Sequence, residues 1–269
     1  MSDGPPRHRG RRIALGAALV VAVLVGVVVV RWNQGRAKPV DIADVAAPTG
    51  STTPQRVAEL RPPQGVYLYE GSGTAALDTP PKQQGQGPTM PATVTHLVGG
   101  CWELRIEYST NQWQSWQYCT ADGGLAEAGG SAFQRWDFGA FANETTSTFT
   151  CEAPVIVADQ VRGDEWDQRC EGESTGVDGT TISEGPVRYV GTETLDIGGE
   201  EVLAHRYHRE RTTSGNQTGS EVTEAWFSVE TGMPLRNERR LQATSDTIIG
   251  EVDYTEQGEF QLTSLSPER

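Results

Sequence analysis

The sequence lacks most of the patterns that identify metal-binding, redox and nucleic-acid-binding proteins. It has no C-x-x-C pair, no glycine-rich phosphate loop that opens a helix, and no basic stripe in its long C-terminal part. After residue 60, no stretch of ten or more residues repeats its apolar positions with the 3.6-residue period of a helix. These absences argue against zinc ribbons, nucleotide-binding α/β folds and helical bundles.

One long apolar run stands near the N-terminus, where Ile13 to Val30 are 18 uncharged residues behind Arg7, Arg9, Arg11 and Arg12. As a helix they would span about 27 Å, close to the hydrocarbon thickness of a bilayer. The run is longer than a signal-peptide h-region and ends without a small-x-small site or a following cysteine, which favours a retained anchor over a cleaved signal or a lipoprotein box. The positive-inside tendency places residues 1–12 in the cytoplasm and the rest outside.

Charge divides the chain in the same place. Residues 39–269 carry 15 basic and 35 acidic side chains, a net charge of −20. Such an acidic surface repels nucleic acid, so nucleic acid is not an expected partner. It also suits an exported domain that stays soluble.

The part beyond the anchor divides into a linker and a folded domain. Residues 31–64 are rich in Pro, Ala and Thr and have few apolar residues, which predicts a flexible tether. Residues 65–265 are rich in strand patterns and glycine turns, and they predict an all-β extracytoplasmic domain. The proposed order is a cytoplasmic tail over 1–12, a transmembrane helix over 13–30, the tether and the β domain.

The last 80 residues predict a six-stranded antiparallel meander. Gly198-Gly199 is read as a two-residue hairpin turn, since glycine supplies the positive φ of primed turns. Further turns are predicted at Ser214-Gly215-Asn216, at Thr231-Gly232 and at Glu256-Gln257-Gly258. The last of these separates a strand over Thr247–Thr255 from a final strand over Phe260–Leu265.

Four cysteines, Cys101, Cys119, Cys151 and Cys170, lie in the exported part, where disulfides persist. Three pairings are possible. The sequential pairing Cys101–Cys119 and Cys151–Cys170 is the most economical, because each bridge would tie the two strands of one hairpin. A Cys₄ metal site is disfavoured by the spacing.

The residues that suggest a ligand are aromatic. Trp102, Trp113, Trp116, Trp136, Trp166 and Trp226 are either core residues or the lining of an apolar cleft for a lipid or glycan. His205 and His208 have an odd spacing, so on a strand they face opposite sides and cannot share a metal. No catalytic, cofactor-binding or metal-binding residue is assigned, and no cofactor is expected.

Four segments together carry a resemblance: Gly65–Gly71, the Val187–Ala204 hairpin, Trp226–Arg236 and Phe260–Pro267. The pattern resembles uncharacterised single-pass membrane proteins of high-GC Gram-positive bacteria. The meander, about residues 185–265, is similar in strand organisation to LolA/LppX-type lipoprotein carriers. That resemblance implies a half-open barrel with a cavity for a hydrophobic ligand, and it supplies no catalytic residues.

These observations predict a membrane-anchored, non-enzymatic binding or envelope-associated module with an antiparallel meander or half-barrel-like ectodomain. Its expected partners are the lipid bilayer, through residues 13–30, and a hydrophobic ligand or an envelope protein. A tethered carrier of a lipid is the first alternative, and a cell-wall hydrolase is the second.

Overall fold

A computed structural model describes residues 37–48, 60–121, 123–247 and 250–268. The predicted cytoplasmic tail and transmembrane helix lie outside these residues, as do residues 31–36 and 49–59 of the predicted tether. Among the residues that are described, no helix is long and apolar enough to cross a membrane. The helical structure they contain is limited to two short 3₁₀ turns, Ile42–Asp44 and Val98–Gly100.

The described part of the chain forms thirteen β-strands in one antiparallel sheet, which confirms the all-β prediction. The strands are β1 Gly65–Asp78, β2 Pro81–Gln86, β3 Thr89–His96, β4 Cys101–Ser109, β5 Gln112–Ala121, β6 Gly124–Asp137, β7 Ala142–Ile156, β8 Glu165–Ser174, β9 Val177–Ile197, β10 Glu200–Gly215, β11 Gln217–Ser228, β12 Pro234–Thr247 and β13 Gly250–Leu262.

The sheet closes on itself, so the prediction of an open meander or half-barrel was incomplete. From β3 to β13 each strand pairs with the next in sequence, and β13 then pairs with β1 from Tyr69↔Leu262 to Leu77↔Tyr254. The other edge of β1 is shared, with β3 on its first half and β2 on its second. Closure pairs the two strands, β1 and β13, that would be the open edges of a half-barrel, and among the described strands the short β2 pairs with β1 alone.

The predicted turns of the meander are confirmed except for one. Gly198 and Gly199 have φ of 63° and 89°, and Glu200 pairs with Ile197, as a two-residue primed turn requires. The turn at Glu256-Gln257-Gly258 was wrong, since β13 runs through it without interruption, so the predicted six-stranded meander has five strands, β9 to β13. A Cβ on Gly258 would lie 2.9 Å from Gln86 Oε1 and 3.3 Å from Gly73 Cα, so β13 approaches β1 closely at this glycine.

Both disulfides follow the sequential pairing. Cys101 is the direct cross-strand partner of Cys119 on β4 and β5, and Cys151 is that of Cys170 on β7 and β8. Each bridge therefore ties one hairpin, as predicted. In the chain-entropy account, each stabilises the fold by restricting the unfolded chain.

One half of the barrel interior is apolar and filled by aromatic rings. Tyr118 on β5 contacts Phe227 on β11, with ring centroids 6.0 Å apart, and Trp102 lies 4.7 Å from Tyr118. Phe227 also contacts Tyr207 on β10 at 6.0 Å. Because β5 and β11 are not neighbours in the sheet, the contact between Tyr118 and Phe227 spans the interior from wall to wall.

Two segments cover the apolar end. At the tip of the β9–β10 hairpin, Asp196 O accepts a hydrogen bond from Gln261 Nε2 at 2.9 Å. Just before β1, Leu60 O accepts one from Trp102 Nε1 at 3.1 Å, and Pro63 O accepts one from Tyr67 Oη at 2.6 Å. The last residues of the predicted tether, 60–64, therefore lie against the β domain.

Residues 136–143, which connect β6 to β7, make local contacts with one another. Phe138 N donates to Phe141 O at 2.9 Å, and the two phenyl rings lie 5.0 Å apart. Asp137 Oδ1 accepts the N–H of Gly139 at 2.7 Å. These contacts fold this segment onto itself.

Candidate functional site

A cavity of about 460 Å³ opens at the apolar end of the barrel. Its walls come from five parts of the chain: the segment just before β1, the β5–β6 turn, the β7–β8 loop, β10 and the β11–β12 turn. The lining residues are Leu60, Gly123, Ile156, Val157, Ala158, Asp159, Gln160, His205, Val229 and Glu230. A volume of this size falls within the range of about 300–1,000 Å³ typical of small-molecule sites.

The β7–β8 loop is shaped by its own hydrogen bonds. Gln160 Oε1 accepts the N–H of Val157 at 3.2 Å, and Gln160 Nε2 donates to Tyr207 Oη at 2.7 Å. Asp159 has φ of 56°, a left-handed conformation that Asp adopts more readily than most residues. The Gln160 side chain thus joins the loop to the barrel wall and fixes the mouth of the cavity.

His205 is the ionisable group on the barrel side of the cavity. Its Nδ1 lies 3.0 Å from Tyr189 Oη, in hydrogen-bonding range. Burial lowers the pKa of His205 and raises those of Tyr189 and Tyr207, so all three side chains are neutral at pH 7. The inner wall therefore offers neutral hydrogen-bonding groups.

The rim of the cavity has a different character. Asp159 and Glu230 are both exposed, and the described residues that line the cavity include no Lys or Arg. Leu60, Ile156, Val157, Ala158 and Val229 supply the apolar wall. The cavity thus combines an apolar wall, a neutral polar patch and two carboxylates at the rim.

The other half of the barrel interior holds ion pairs in place of apolar side chains. Glu127 on β6 is 2% exposed, and its Oε2 lies 3.2 Å from Arg209 Nη1 and 3.7 Å from Arg211 Nη2. Both arginines belong to β10, which is not a neighbour of β6 in the sheet. Arg211 Nη2 also donates to Gln168 Oε1 on β8 at 2.6 Å.

A second cluster of buried charges joins β11, β12 and β13. Arg239 Nε lies 3.0 Å from Glu221 Oε1, and Arg239 Nη1 lies 3.5 Å from Glu256 Oε1. The same guanidinium donates to Gln114 Oε1 on β5 at 2.8 Å, and Gln112 Nε2 donates to Glu256 Oε2 at 3.0 Å. Three acids and three arginines therefore balance across the two clusters, which indicates a structural role.

The six predicted aromatics lie in different places. Trp102 is fully buried in the barrel interior, Trp116 and Trp166 pack against the core, and Trp136 is buried. Trp113 is parallel to Phe133 and lies beneath the Arg105 guanidinium, whose carbon is 3.8 Å from the ring centroid. Trp226 lies between Arg206 and Arg236, at 5.1 and 5.0 Å. None of the six is among the described residues that line the cavity, and an aromatic ligand cleft stays a prediction.

The two strand histidines have separate surroundings. His205 faces the cavity, whereas the ring of His208 lies between carboxylates, with Nε2 2.8 Å from Glu210 Oε1 and Nδ1 bonded to Glu224 Oε1. The hydrogen bond to Glu210 raises the pKa of His208, burial opposes it, and Glu224 adds to the increase. Cys151 and Cys170 lie near Glu127, but in a disulfide they offer no thiolate to a metal.

A serine motif occurs in Gly172-Glu173-Ser174-Thr175-Gly176, which matches G-x-S-x-G. In α/β-hydrolases this motif forms a sharp turn from a strand to a helix. Here it joins β8 to β9, and Ser174 Oγ accepts the N–H of Gly176 at 3.3 Å. The geometry is that of a strand-to-strand turn.

Comparisons with known proteins give no family for this chain. No family model matches it, and no curated protein matches it. Among solved structures, the hypothetical lipoprotein YmcC from Escherichia coli K12 matches with a TM-score of 0.33 and 11% identity, over 72% of this chain and 88% of that one. A protein of Parabacteroides distasonis described as a lipoprotein matches with a TM-score of 0.39 and 12% identity, over 78% and 99%. The resemblance to membrane proteins of high-GC Gram-positive bacteria stays a prediction.

Proposed function

We propose that this protein is an extracytoplasmic, non-enzymatic binding module, held at the cell membrane by residues 13–30, with the cavity at the apolar end as its ligand site. The two disulfides support an oxidising location, because such bridges persist outside the cytoplasm. The arginine-flanked apolar run supports the anchor and its orientation.

The end cavity is favoured as the binding site because the barrel interior is already filled by side chains. Rings from opposite walls meet in one half of the barrel, and ion pairs from non-neighbouring strands meet in the other. An acyl chain lying along the barrel axis would have to displace these groups, including three buried arginines and their carboxylates. The cavity at the end offers space without that rearrangement, so it is favoured over an internal lipid site.

The same geometry favours binding over hydrolysis. A glycosidase needs one carboxyl kept protonated by an apolar environment beside a second that is ionised. The two carboxyls of the cavity, on Asp159 and Glu230, are both exposed to solvent. His205 has a tyrosine as its hydrogen-bond partner, and the lining residues include no serine, threonine or cysteine for it to activate.

Binding of a small neutral fluorophore tests this proposal. N-phenyl-1-naphthylamine, titrated into the full chain in lipid nanodiscs, should give a saturable signal at one probe per chain above that of empty discs. Ala158→Trp should remove it, since the indole would occupy the cavity that Ala158 lines. Absence of a saturable difference between the wild type and Ala158→Trp would reject the cavity as a ligand site.

A long acyl probe distinguishes the module from the carrier. Parinaric acid should show no saturable site in either protein if the interior stays filled. One-to-one binding that survives Ala158→Trp would support the lipid carrier instead, because the acyl chain would then lie within the barrel.

The proposed topology is tested by labelling. A cysteine at Ser2 should be shielded from an impermeant thiol reagent in intact cells, and one at Ser266 should react. The reverse pattern would overturn the orientation, and a mature N-terminus beyond residue 31 would show that the apolar run is cleaved.

A further inference from the structure

The charge of the cavity restricts what it can bind. Asp159 and Glu230 place two carboxylates at its rim, and the described lining residues include no cationic side chain to neutralise them. The surrounding exported part of the chain carries a net charge of −20. A bound anion would therefore meet repulsion both at the rim and on approach.

The uncharged groups of the cavity carry no positive charge to offset this repulsion. Gln160 Oε1 accepts a hydrogen bond from Val157 N, and Gln160 Nε2 donates to Tyr207 Oη. His205 is held neutral by burial and is hydrogen-bonded through Nδ1 to Tyr189 Oη. The charged atoms at the rim are carboxylate oxygens, which accept hydrogen bonds and attract positive charge.

The apolar residues define the second part of the ligand. Leu60, Ile156 and Val229 come from three separate segments of the chain and converge on the cavity, and Val157 and Ala158 continue the same surface into the loop. A hydrocarbon or aromatic group placed there would be removed from water, at about 25 cal/mol per Å² of apolar area buried.

We propose that the cavity binds a small cationic amphiphile: an apolar group seated against Leu60, Ile156 and Val229, and an ammonium group between Asp159 and Glu230. This inference rests on the proposed function, because it names the ligand class of the same cavity. The ammonium can stay hydrated on its outer side at this exposed rim, so the ligand need not be fully buried.

Three probes of one size and shape separate charge from apolar binding: 4-phenylbutylammonium, 4-phenylbutanol and 4-phenylbutanoate. Each is titrated into the full chain in zwitterionic nanodiscs by ligand-detected NMR, with the Ala158→Trp chain in identical discs as the reference for partition into lipid. The dissociation constant of the ammonium should be at least tenfold lower than that of the carboxylate, with the alcohol between them. Raising the salt concentration from 20 to 300 mM should reduce the difference between the dissociation constants of the ammonium and the carboxylate, because salt screens exposed carboxylates.

Charge-neutral variants identify which carboxylates produce the preference for the ammonium probe. Asp159→Asn with Glu230→Gln keeps the shape of the rim and should bring the ammonium within about threefold of the alcohol, while the alcohol itself is unchanged. Glu251→Gln is the matched control. It removes one exposed acid at the start of β13, where Glu251 pairs with Asp246 of β12 and is not among the residues that line the cavity. All three dissociation constants should therefore stay unchanged.

The outcomes distinguish the two proposals. Equal or tighter binding of the alcohol or the carboxylate at the Ala158 site would overturn the cationic ligand and leave the binding module standing. Failure of all three probes to bind saturably would overturn both. A preference for the ammonium that persists in the Asp159→Asn and Glu230→Gln chain would also overturn the inference. Groups other than these two carboxylates would then bind the ammonium.

Discussion

The buried guanidinium of Arg239 provides the sharpest test of how the polar half of the barrel is held together. Arg239→Met keeps most of the length of the side chain and removes its charge. Glu221 and Glu256 would then stay in the interior without the cation that lies 3.0 and 3.5 Å from them. Their side chains are 20% and 8% exposed, so water can replace little of the lost interaction.

The expected loss is large because the cation leaves two acids behind. Removing one partner of a buried ion pair typically costs about 3–5 kcal/mol, whereas an exposed pair contributes about 0–1 kcal/mol. Arg135→Met is the matched control, since Arg135 pairs with Glu144 at 2.8 Å while both side chains are about half exposed. Urea unfolding of the disulfide-intact chain in mild detergent should show a loss of more than about 3 kcal/mol for Arg239→Met and less than about 1 kcal/mol for Arg135→Met.

The pH dependence gives this prediction a second readout. In the wild type, burial works against ionisation of Glu221, but Arg239, Arg211 and Arg209 outweigh it and lower the pKa of that carboxyl. A lowered pKa contributes stability above the unfolded value of about 4.3, and this stability is lost as the pH falls through the folded value.

In Arg239→Met, the largest of the charges that lower the pKa of Glu221 is gone, so burial should move this pKa upward from its wild-type value. The cost of the unpaired Glu221 charge is then present at pH 7 and is relieved as the pH falls and the carboxyl takes up a proton. The gap between the wild type and Arg239→Met should therefore be smaller at pH 5 than at pH 7. Replacing both acids as well, with Glu221→Gln and Glu256→Gln, should recover most of the loss. Two results would refute the claim that Arg239 holds the buried cluster of charges together. One is a loss of unfolding free energy in Arg239→Met no larger than that in Arg135→Met, and the other is a loss relative to the wild type that grows on acidification.

Two further predictions concern the histidines and the bridges. NMR titration should place the pKa of His208 above about 6.5 and that of His205 below it, because carboxylates flank the first ring and burial disfavours charge on the second. His208 should thus stabilise the fold below pH 6.5 and cease to do so as the pH rises through its folded pKa; a reversed order would contradict the assigned surroundings. Replacing Cys101 and Cys119 by alanine should lower the free energy of unfolding by about 3 kcal/mol, measured with urea against the intact chain. No loss would mean that the bridge does not restrict the unfolded chain.

Strand content, most turns and the cystine pairing could be predicted from the sequence because each depends on local chemistry. Glycines at 198 and 199 favour one turn type, and two cysteines near a hairpin's ends favour a bridge between its strands. Closure of the barrel depends on the pairing of β1 with β13, two strands that are far apart in the sequence, and no local sequence pattern predicts that pairing.

The polar half of the interior was missed for a different reason. Strand patterns are read on the assumption that the apolar face points inward, but Tyr207, Arg209 and Arg211 alternate along β10 on the same inward face. Glu256 was read as part of a turn, because Glu256-Gln257-Gly258 has the polar side chains and the glycine that are typical of an exposed turn. The cavity was also not predictable, because its residues come from five separate segments.

The pairing of β1 with β13 bears on how the chain folds as it is made. Leu68 O accepts a hydrogen bond from Thr263 Oγ1, 195 positions further along. The first strand must therefore wait, with one edge unpaired, until the last strand has been synthesised. Contacts of such long range slow folding, and an unpaired edge can capture a neighbouring chain in the meantime. The contact between Trp102 and Tyr118 and the first disulfide can form before that point, since β4 and β5 follow within about forty residues of β1. The order of synthesis thus favours early closure of the hairpins and late closure of the barrel, and this protein is most exposed to aggregation before its last strand is complete.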